Sequence, residues 1–158
     1  MSPCRTWLYR LPRLLVFAAL SFSVWNLYAR QAASGAAGDK PYVVEWVYKV
    51  KWGHADEYWQ LFKKYQITIL NREKELGYVT SYTVYRPSLH TGEDTRWEFA
   101  VLITYRNQAA SGHSREISKQ LFPDQETLKR EENHRWELVE AHWDLPVHAI
   151  DPNGDGDE

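Results

Sequence analysis

Apolar and polar side chains alternate along residues 42–52, YVVEWVYKVKW, with the period of two that is typical of a β-strand. One of the two alternating sets is wholly aromatic or β-branched and predicts the face that meets a core: Tyr42, Val44, Trp46, Tyr48, Val50 and Trp52. The opposing set is mixed in polarity: Val43, Glu45, Val47, Lys49 and Lys51. The second face of this strand is therefore expected to contact less uniformly apolar surroundings.

Residues 55–76 change to helical spacing. Tyr58, Phe62, Tyr65 and Ile69 recur every three to four positions in ADEYWQLFKKYQITILNREKEL, which predicts an amphipathic helix of about six turns. Gly77 follows at the position where a left-handed residue commonly ends a helix.

The rest of the chain predicts two more strands, a broken helix and a last strand. YVTSYTVYRPSL, residues 78–89, is rich in β-branched and aromatic residues, a polar turn covers 90–95, and WEFAVLITY, residues 97–105, is apolar enough for a central strand. Helical sequence from Asn107 is interrupted at Pro123 and then resumes. AHWDLPVHAI, residues 141–150, alternates again, and Pro146 favours a position at the sheet edge.

The order strand, helix, strand, strand, helix, strand predicts an α+β fold, the ferredoxin-like plait (β-α-β-β-α-β). Right-handed crossovers give an antiparallel sheet in the order 4-1-3-2 with both helical segments on one face. The other face, which is partly aromatic, is left uncovered. Packing of two such sheets across a two-fold axis would bury it, so the sequence predicts a homodimer.

The segment VYKVKWGHADEYWQLF, a strand that turns at glycine into a long aromatic helix, resembles the opening of dimeric α/β-barrel proteins. The resemblance extends over about Tyr42 to Ile150. This superfamily includes NIPSNAP-like proteins, EthD-like proteins and antibiotic-biosynthesis-monooxygenase-like proteins, some of them cofactor-independent monooxygenases. The resemblance implies a small ligand held between sheet and helices or inside the barrel, and it transfers no catalytic residue to this chain.

The start of the chain has the pattern of an export signal. Arg5, Arg10 and Arg13 precede an apolar run from Leu14 that weakens before Ala29, and small residues follow. We expect residues 1–29 to be a signal peptide cleaved between 29 and 37, residues 30–40 to be a linker and residues 41–150 to be the domain. Export to the periplasm or the extracellular space follows, and an uncleaved N-terminal membrane anchor is the alternative.

The segment DPNGDG, residues 151–156, matches the first half of a calcium-binding EF-hand loop. Such a loop needs a bidentate acid at its twelfth position and flanking helices, whereas a strand is predicted before this segment and Glu158 occupies only the eighth position. We expect residues 151–158 to be a disordered acidic tail.

Composition restricts the chemistry further. The 158 residues include one cysteine, Cys4, inside the predicted signal, so the mature domain would have neither a disulfide nor a thiol nucleophile. Cleavage after Ala29 removes three of the 19 basic residues and none of the 21 acidic ones, which leaves an excess of five acidic residues. Binding of nucleic acid is therefore not expected. Sequence signatures of metal or cofactor sites are not found, and we predict no cofactor.

The predicted sheet order brings several polar side chains towards the uncovered face. Lys49 is expected near Glu98 and near His142 or Asp144, and Glu45 near Thr104 and His148. One interpretation is an acid/base pocket, with His142, Asp144 and Glu98 as catalytic residues and Glu45, Lys49, Tyr82 and His148 around a ligand. A metal site is a second interpretation, and cross-strand ion pairing without chemistry is a third.

These observations leave three functional hypotheses open. The first is an exported, homodimeric α/β-barrel protein that binds a small, partly apolar molecule. The second is a cofactor-independent monooxygenase or a related acid/base enzyme, and the third is a structural module that binds a partner protein. The sequence favours the first, with no reaction assigned.

Overall fold

The structure is a computed structural model that describes residues 40–89 and 91–154. The predicted signal peptide, nearly all of the predicted linker and residues 155–158 lie outside the described residues. Export therefore stays a prediction. Mass spectrometry that identifies the N-terminal residue of the natural protein would test whether the signal is cleaved. The helices of the described part are too short or too polar to span a bilayer.

Four strands and two helical segments alternate in the predicted order. The first helical segment is continuous, with a single π-helical turn, Lys63–Ile67, between its two α-helices. The second contains two helices that Pro123 separates, as predicted. The bounds are β1 Tyr42–Val50, α1 Ala55–Phe62, α2 Thr68–Glu75, β2 Val79–Tyr85, β3 Phe99–Tyr105, α3 Ser114–Leu121, α4 Gln125–Glu137 and β4 Val139–Val147, with 3₁₀ turns at Glu93–Thr95 and Gln108–Gly112.

The sheet order is β2-β3-β1-β4 with all neighbours antiparallel, which confirms the predicted order 4-1-3-2 read from the other edge. Strand β3 is central and the most deeply buried, as its apolar sequence predicts. Phe99, Val101, Ile103 and Tyr105 are at most 3% exposed. Strand β4 forms one edge and contains Pro146, which agrees with the expectation for a residue without a backbone donor.

The core lies between the helices and one face of the sheet. Tyr48 and Val50 of β1 pack there with Tyr58 and Phe62 of α1, so the aromatic set of β1 faces the helices as predicted. Gly77 ends α2 at a φ of 75°, and this backbone conformation, which favours glycine, lets the chain turn directly into β2.

The other face of the sheet carries side chains that the described helices do not cover. We call it the open face: Val43, Glu45, Val47 and Lys49 of β1, Thr83 and Tyr85 of β2, Ala100, Leu102 and Thr104 of β3, and Ala141, Trp143, Leu145 and Val147 of β4. Four of these apolar side chains are 36–48% exposed: Tyr85, Trp143, Leu145 and Val147. An exposed apolar sheet face of this kind is typical of an interaction surface.

Candidate functional site

The pairing of β1 with β4 separates the predicted polar set into two groups. His142 lies opposite Tyr48 and Asp144 lies opposite Trp46, so both side chains are on the helix face. Lys49 lies opposite Ala141 instead. The prediction that His142 or Asp144 approaches Lys49 is therefore wrong, because a shift of one residue in register moves a side chain to the other face of a sheet.

Two of the predicted ligand-pocket residues also differ from expectation. Glu45 does lie on the open face, but Leu102 and Leu145 are its cross-strand neighbours instead of Thr104 and His148. Residue His148 follows the end of β4. Thr104 lies on the same face, opposite Val43, so it is a diagonal neighbour of Glu45 and not its direct partner. The approach of Glu45 to His148 stays a prediction.

Tyr82 lies on the helix face, opposite the buried Ile103, and its hydroxyl donates to Asn71 Oδ1 at 2.6 Å. It is thus separated by the sheet from Glu45 and Lys49. The expectation that all four predicted ligand-pocket residues surround one ligand does not hold.

The expected proximity of Glu98 to the end of β1 is confirmed, although the ion pairs are different from those predicted. The Glu98 backbone N–H donates to the Tyr48 carbonyl at 2.9 Å, and its carboxylate accepts from the Val50 backbone N–H at 2.6 Å. Lys49 Nζ pairs with Glu93 at 2.9 Å and with Glu140 at 3.0 Å. Glu98 instead pairs with Arg96.

Arg96 is the centre of this group and was not anticipated from the sequence. Its guanidinium pairs with Glu93 at 3.1 Å, with Glu140 at 2.9 Å and with Glu98, and its side chain is only 7% exposed. The motif that could have indicated it is an arginine between two glutamates, EDTRWE, directly before a buried strand. We call Lys49, Glu93, Arg96, Glu98 and Glu140 the Arg96 cluster.

Trp52 and the backbone complete the Arg96 cluster. The Trp52 ring lies 4.4 Å from the guanidinium carbon, and its indole N–H donates to Glu93 at 3.1 Å. Hydrogen bonds from Arg96 and Lys49 lower the pKa of Glu93 to about 2. The carboxylate of Glu93 is therefore ionised at any physiological pH, and the cluster remains charged.

A pocket of about 260 Å³ lies beside the Arg96 cluster on the open face. Val47 and Leu145 of the sheet form its apolar floor, and the indoles of Trp97 and Trp143 add aromatic wall. Asp94, Thr95 and Arg96 supply its polar lining. The segment 92–98 reaches this end of the sheet through the 3₁₀ turn Glu93–Thr95, and we call the site the Trp143 pocket.

His142 and Asp144 form a second, smaller constellation on the helix face. His142 Nε2 lies 3.5 Å from the Asp144 carboxylate, while the imidazole stacks on Tyr48 at 5.5 Å and meets the edge of Trp136 at 4.7 Å. An imidazole beside a carboxylate can take up and release a proton. A catalytic role for His142 with Asp144 stays a prediction, and Glu98 does not belong to this group.

The buried side of this constellation is organised around Arg135, which is 2% exposed. Arg135 donates to Glu132 through Nε at 3.0 Å and through Nη2 at 2.9 Å, and to the Tyr58 hydroxyl at 3.2 Å. Burial raises the pKa of Tyr58. The tyrosine is therefore a neutral hydrogen-bond partner of the cation.

The π-helical turn supports Arg135 from the facing helix. Within this turn, Gln66 donates to Glu132 at 3.0 Å and the Tyr65 hydroxyl donates to Glu131 at 2.8 Å. The extra residue of a π turn changes the direction in which the following side chains point. Here it directs polar side chains of the first helical segment at the carboxylates of α4.

Glu73 of α2 is another buried ionisable group. It is fully buried, one carboxylate oxygen accepts from the Ser114 hydroxyl at 2.6 Å, and the other has no hydrogen-bond partner among the described residues. Burial raises the pKa of this carboxyl above its ordinary value. The protonated form is thus the one that the fold favours.

We expect Glu73→Gln to reduce the loss of stability at rising pH. Below the ordinary carboxyl pKa of about 4.3, both folded and unfolded wild-type chains are protonated. Above it the unfolded chain ionises first, so folding stability falls until the pH reaches the raised pKa of the folded state. Urea unfolding from pH 4 to pH 8 measures the effect. The exposed neighbour Glu75→Gln is the control, and a pH profile of Glu73→Gln equal to wild type would contradict this account.

In the described part of the chain, no three His, Cys, Asp or Glu side chains are arranged so that they could share a metal ion. The residues Asp151–Gly154 form a turn in which the Asp151 carboxylate accepts from the Asn153 backbone N–H at 2.9 Å. The carboxylate of Asp151, the first acid of the calcium-like motif, is therefore hydrogen-bonded within the turn itself.

No family model matches this sequence, and no curated protein matches it. Solved structures do match. A dimeric ferredoxin-like protein from an uncultured marine organism is 7% identical, with 73% of this chain and 96% of that chain covered and a TM-score of 0.52. The fold is ferredoxin-like. This agrees with the sheet order and with the resemblance of the sequence.

Two further solved structures match this chain with TM-scores below 0.5. A NIPSNAP family protein from Agrobacterium tumefaciens is 15% identical, covers 72% of this chain and 96% of that chain, and has a TM-score of 0.49. A cofactor-independent oxygenase from Streptomyces nogalater is 13% identical and has a TM-score of 0.44. The match covers 73% of this chain and 99% of that chain.

Proposed function

We propose that this protein is a homodimeric α/β barrel that binds a small, partly apolar molecule in the Trp143 pocket. The observation that carries the proposal is a pocket with two indoles on a sheet face that the described helices leave open. A second copy on this face would close the pocket from the remaining side. The pocket would then become part of the barrel interior.

The open face supports a second copy as its cover. Its exposed apolar side chains extend across the sheet from Tyr85 on β2 to Val147 on β4. Association would remove such apolar area from water, and each Å² buried contributes roughly 25 cal/mol of favourable free energy. The marine protein of the same fold is described as dimeric, which supports the same mode of assembly here.

The composition of the pocket supports a small amphipathic ligand. Ligand sites commonly combine apolar and aromatic walls with a few polar groups that fix orientation. Trp97, Trp143 and Leu145 supply such walls, and the ion pairs of Arg96 connect the neighbouring turn to β4. Since an indole supplies a large flat contact area, Trp143 is expected to contribute most to binding.

Fluorescence titration with the uncharged apolar dye N-phenyl-1-naphthylamine tests the proposal. We expect one site per chain, and we expect Trp143→Ala to weaken binding about tenfold, the equivalent of ~1.4 kcal/mol. Trp136→Ala is the matched control, because Trp136 is 42% exposed and Trp143 is 43% exposed. Trp136 packs against His142 on the helix face of the sheet, whereas Trp143 lines the pocket on the open face. Equal affinity of both variants, or no dye binding by the wild type, would refute the proposed site.

A further inference from the structure

The cation that lines the Trp143 pocket is fully engaged within the protein. Arg96 has five N–H groups. Its Nε donates to Glu93, its Nη1 donates to the Val50 carbonyl at 2.7 Å and to Glu98, and its Nη2 donates to Glu93 at 3.2 Å and to Glu140 at 2.9 Å. The guanidinium therefore has no donor left for the carboxylate or phosphate of a ligand.

The second cation of the cluster is equally committed. Lys49 Nζ contacts the Glu93 carbonyl at 2.9 Å, the Glu93 carboxylate at 2.9 Å and the Glu140 carboxylate at 3.0 Å, and its side chain is 13% exposed. An ammonium group has three N–H donors. These three contacts account for them.

The charged side chains at the polar side of the pocket carry a net negative charge. The Arg96 cluster contains the three carboxylates of Glu93, Glu98 and Glu140 and two cations, which leaves one net negative charge. Asp94 lines the pocket, is exposed, and has no ion-pair partner among the described residues. Its carboxylate is thus available to a ligand, in contrast to those of the cluster.

Resting on the proposed function, we infer that the ligand of the Trp143 pocket is a cation, an organic ammonium with an apolar body. Trp97 and Trp143 both line the pocket. An indole ring attracts an ammonium group through its quadrupole, and indole is the best of the aromatic side chains for this contact. The Asp94 carboxylate adds Coulomb attraction. The apolar body would lie on Val47 and Leu145, the sheet residues of the same pocket.

Displacement of N-phenyl-1-naphthylamine from the full-length protein tests this inference with three compounds of one carbon frame: 2-phenylethylammonium, 2-phenylethanol and 3-phenylpropionate. We expect the ammonium to bind at least fivefold more tightly than the alcohol, and the carboxylate to bind most weakly. The fivefold figure corresponds to ~1 kcal/mol for one charge pair at about 4 Å in water. Asp94→Asn should remove most of this preference, measured in that variant as the ratio of the affinity for 2-phenylethylammonium to the affinity for 2-phenylethanol.

The outcomes separate the inference from the proposal on which it depends. Equal binding of ammonium and alcohol, tighter binding of the carboxylate, or an ammonium preference unaffected by Asp94→Asn would overturn the cationic ligand and leave the pocket intact. Failure of all three compounds to displace bound dye would likewise overturn it. Absence of dye binding would instead overturn the proposed function. A preference that falls with added salt, together with the Asp94→Asn result, would support the inference.

Discussion

Replacing Arg135 with alanine is expected to lower the free energy of unfolding by about 3–5 kcal/mol, the usual cost of removing one partner from a buried ion pair. Arg135 is 2% exposed and bridges Glu132 and Tyr58. Its removal leaves the Glu132 carboxylate without its cation, with the Gln66 amide as its remaining donor, and the Tyr58 hydroxyl without the Arg135 donor. It also leaves a cavity between α4 and the aromatic core.

Two further variants show which of these losses matters. Arg135→Met fills most of the cavity without the charge and is expected to be less destabilising than Arg135→Ala. Arg130→Ala changes an exposed arginine of the same helix and should alter stability by less than ~0.5 kcal/mol. Urea unfolding monitored by tryptophan fluorescence measures all three. A stability of Arg135→Ala within the error of wild type would show that the buried cation is not a stabilising centre of the fold.

Leu102→Arg is expected to convert the proposed homodimer into a monomer, raising the dimer dissociation constant at least 100-fold. Leu102 lies on the open face directly opposite Glu45. In a monomer the new guanidinium can pair with Glu45 in water. In the dimer it would be buried against apolar side chains of the second copy, and the desolvation of a charge is costly.

Sedimentation equilibrium measures this change in association. Leu76→Arg is the matched control, because Leu76 is 42% exposed at the end of the first helical segment and outside the open face. Circular dichroism of both variants reports whether the fold is retained. A Leu102→Arg protein that keeps its fold and still dimerises as tightly as wild type would exclude the open face as the interface.

The topology was predictable from the sequence because it depends on periodicity and connection length. Alternation in YVVEWVYKV fixes which side of β1 meets the core, and Gly77 and Pro123 mark where helices end. Right-handed crossover then leaves few ways to order four strands. None of these features depends on the detailed contacts of any one side chain.

The polar site was not predictable, because it depends on register. The ladder between β1 and β4 shifts between Lys49 and Val50, where Val139 and not Glu140 pairs with Val50. This irregularity places Glu140 beside Lys49 and turns His142 to the helix face. A bulge of one residue has no reliable sequence signal, yet it reverses the face of every side chain that follows.

The pocket depends on a turn that strand periodicity does not describe. Asp94 and Trp97 reach the open face only because Arg96 holds the 3₁₀ turn against β1 and β4. The sequence indicates a polar turn over these positions without showing where it folds. The π-helical turn at Lys63–Ile67 is similar, since it interrupts a regular helical pattern without a glycine or a proline.

We propose that a second copy of this chain covers the open face. Light scattering of the purified wild-type protein at micromolar concentration measures whether two chains associate. We expect a molar mass twice that of one chain, which is 18.6 kDa for the full sequence and less after signal cleavage. A mass equal to that of a single chain would contradict the account.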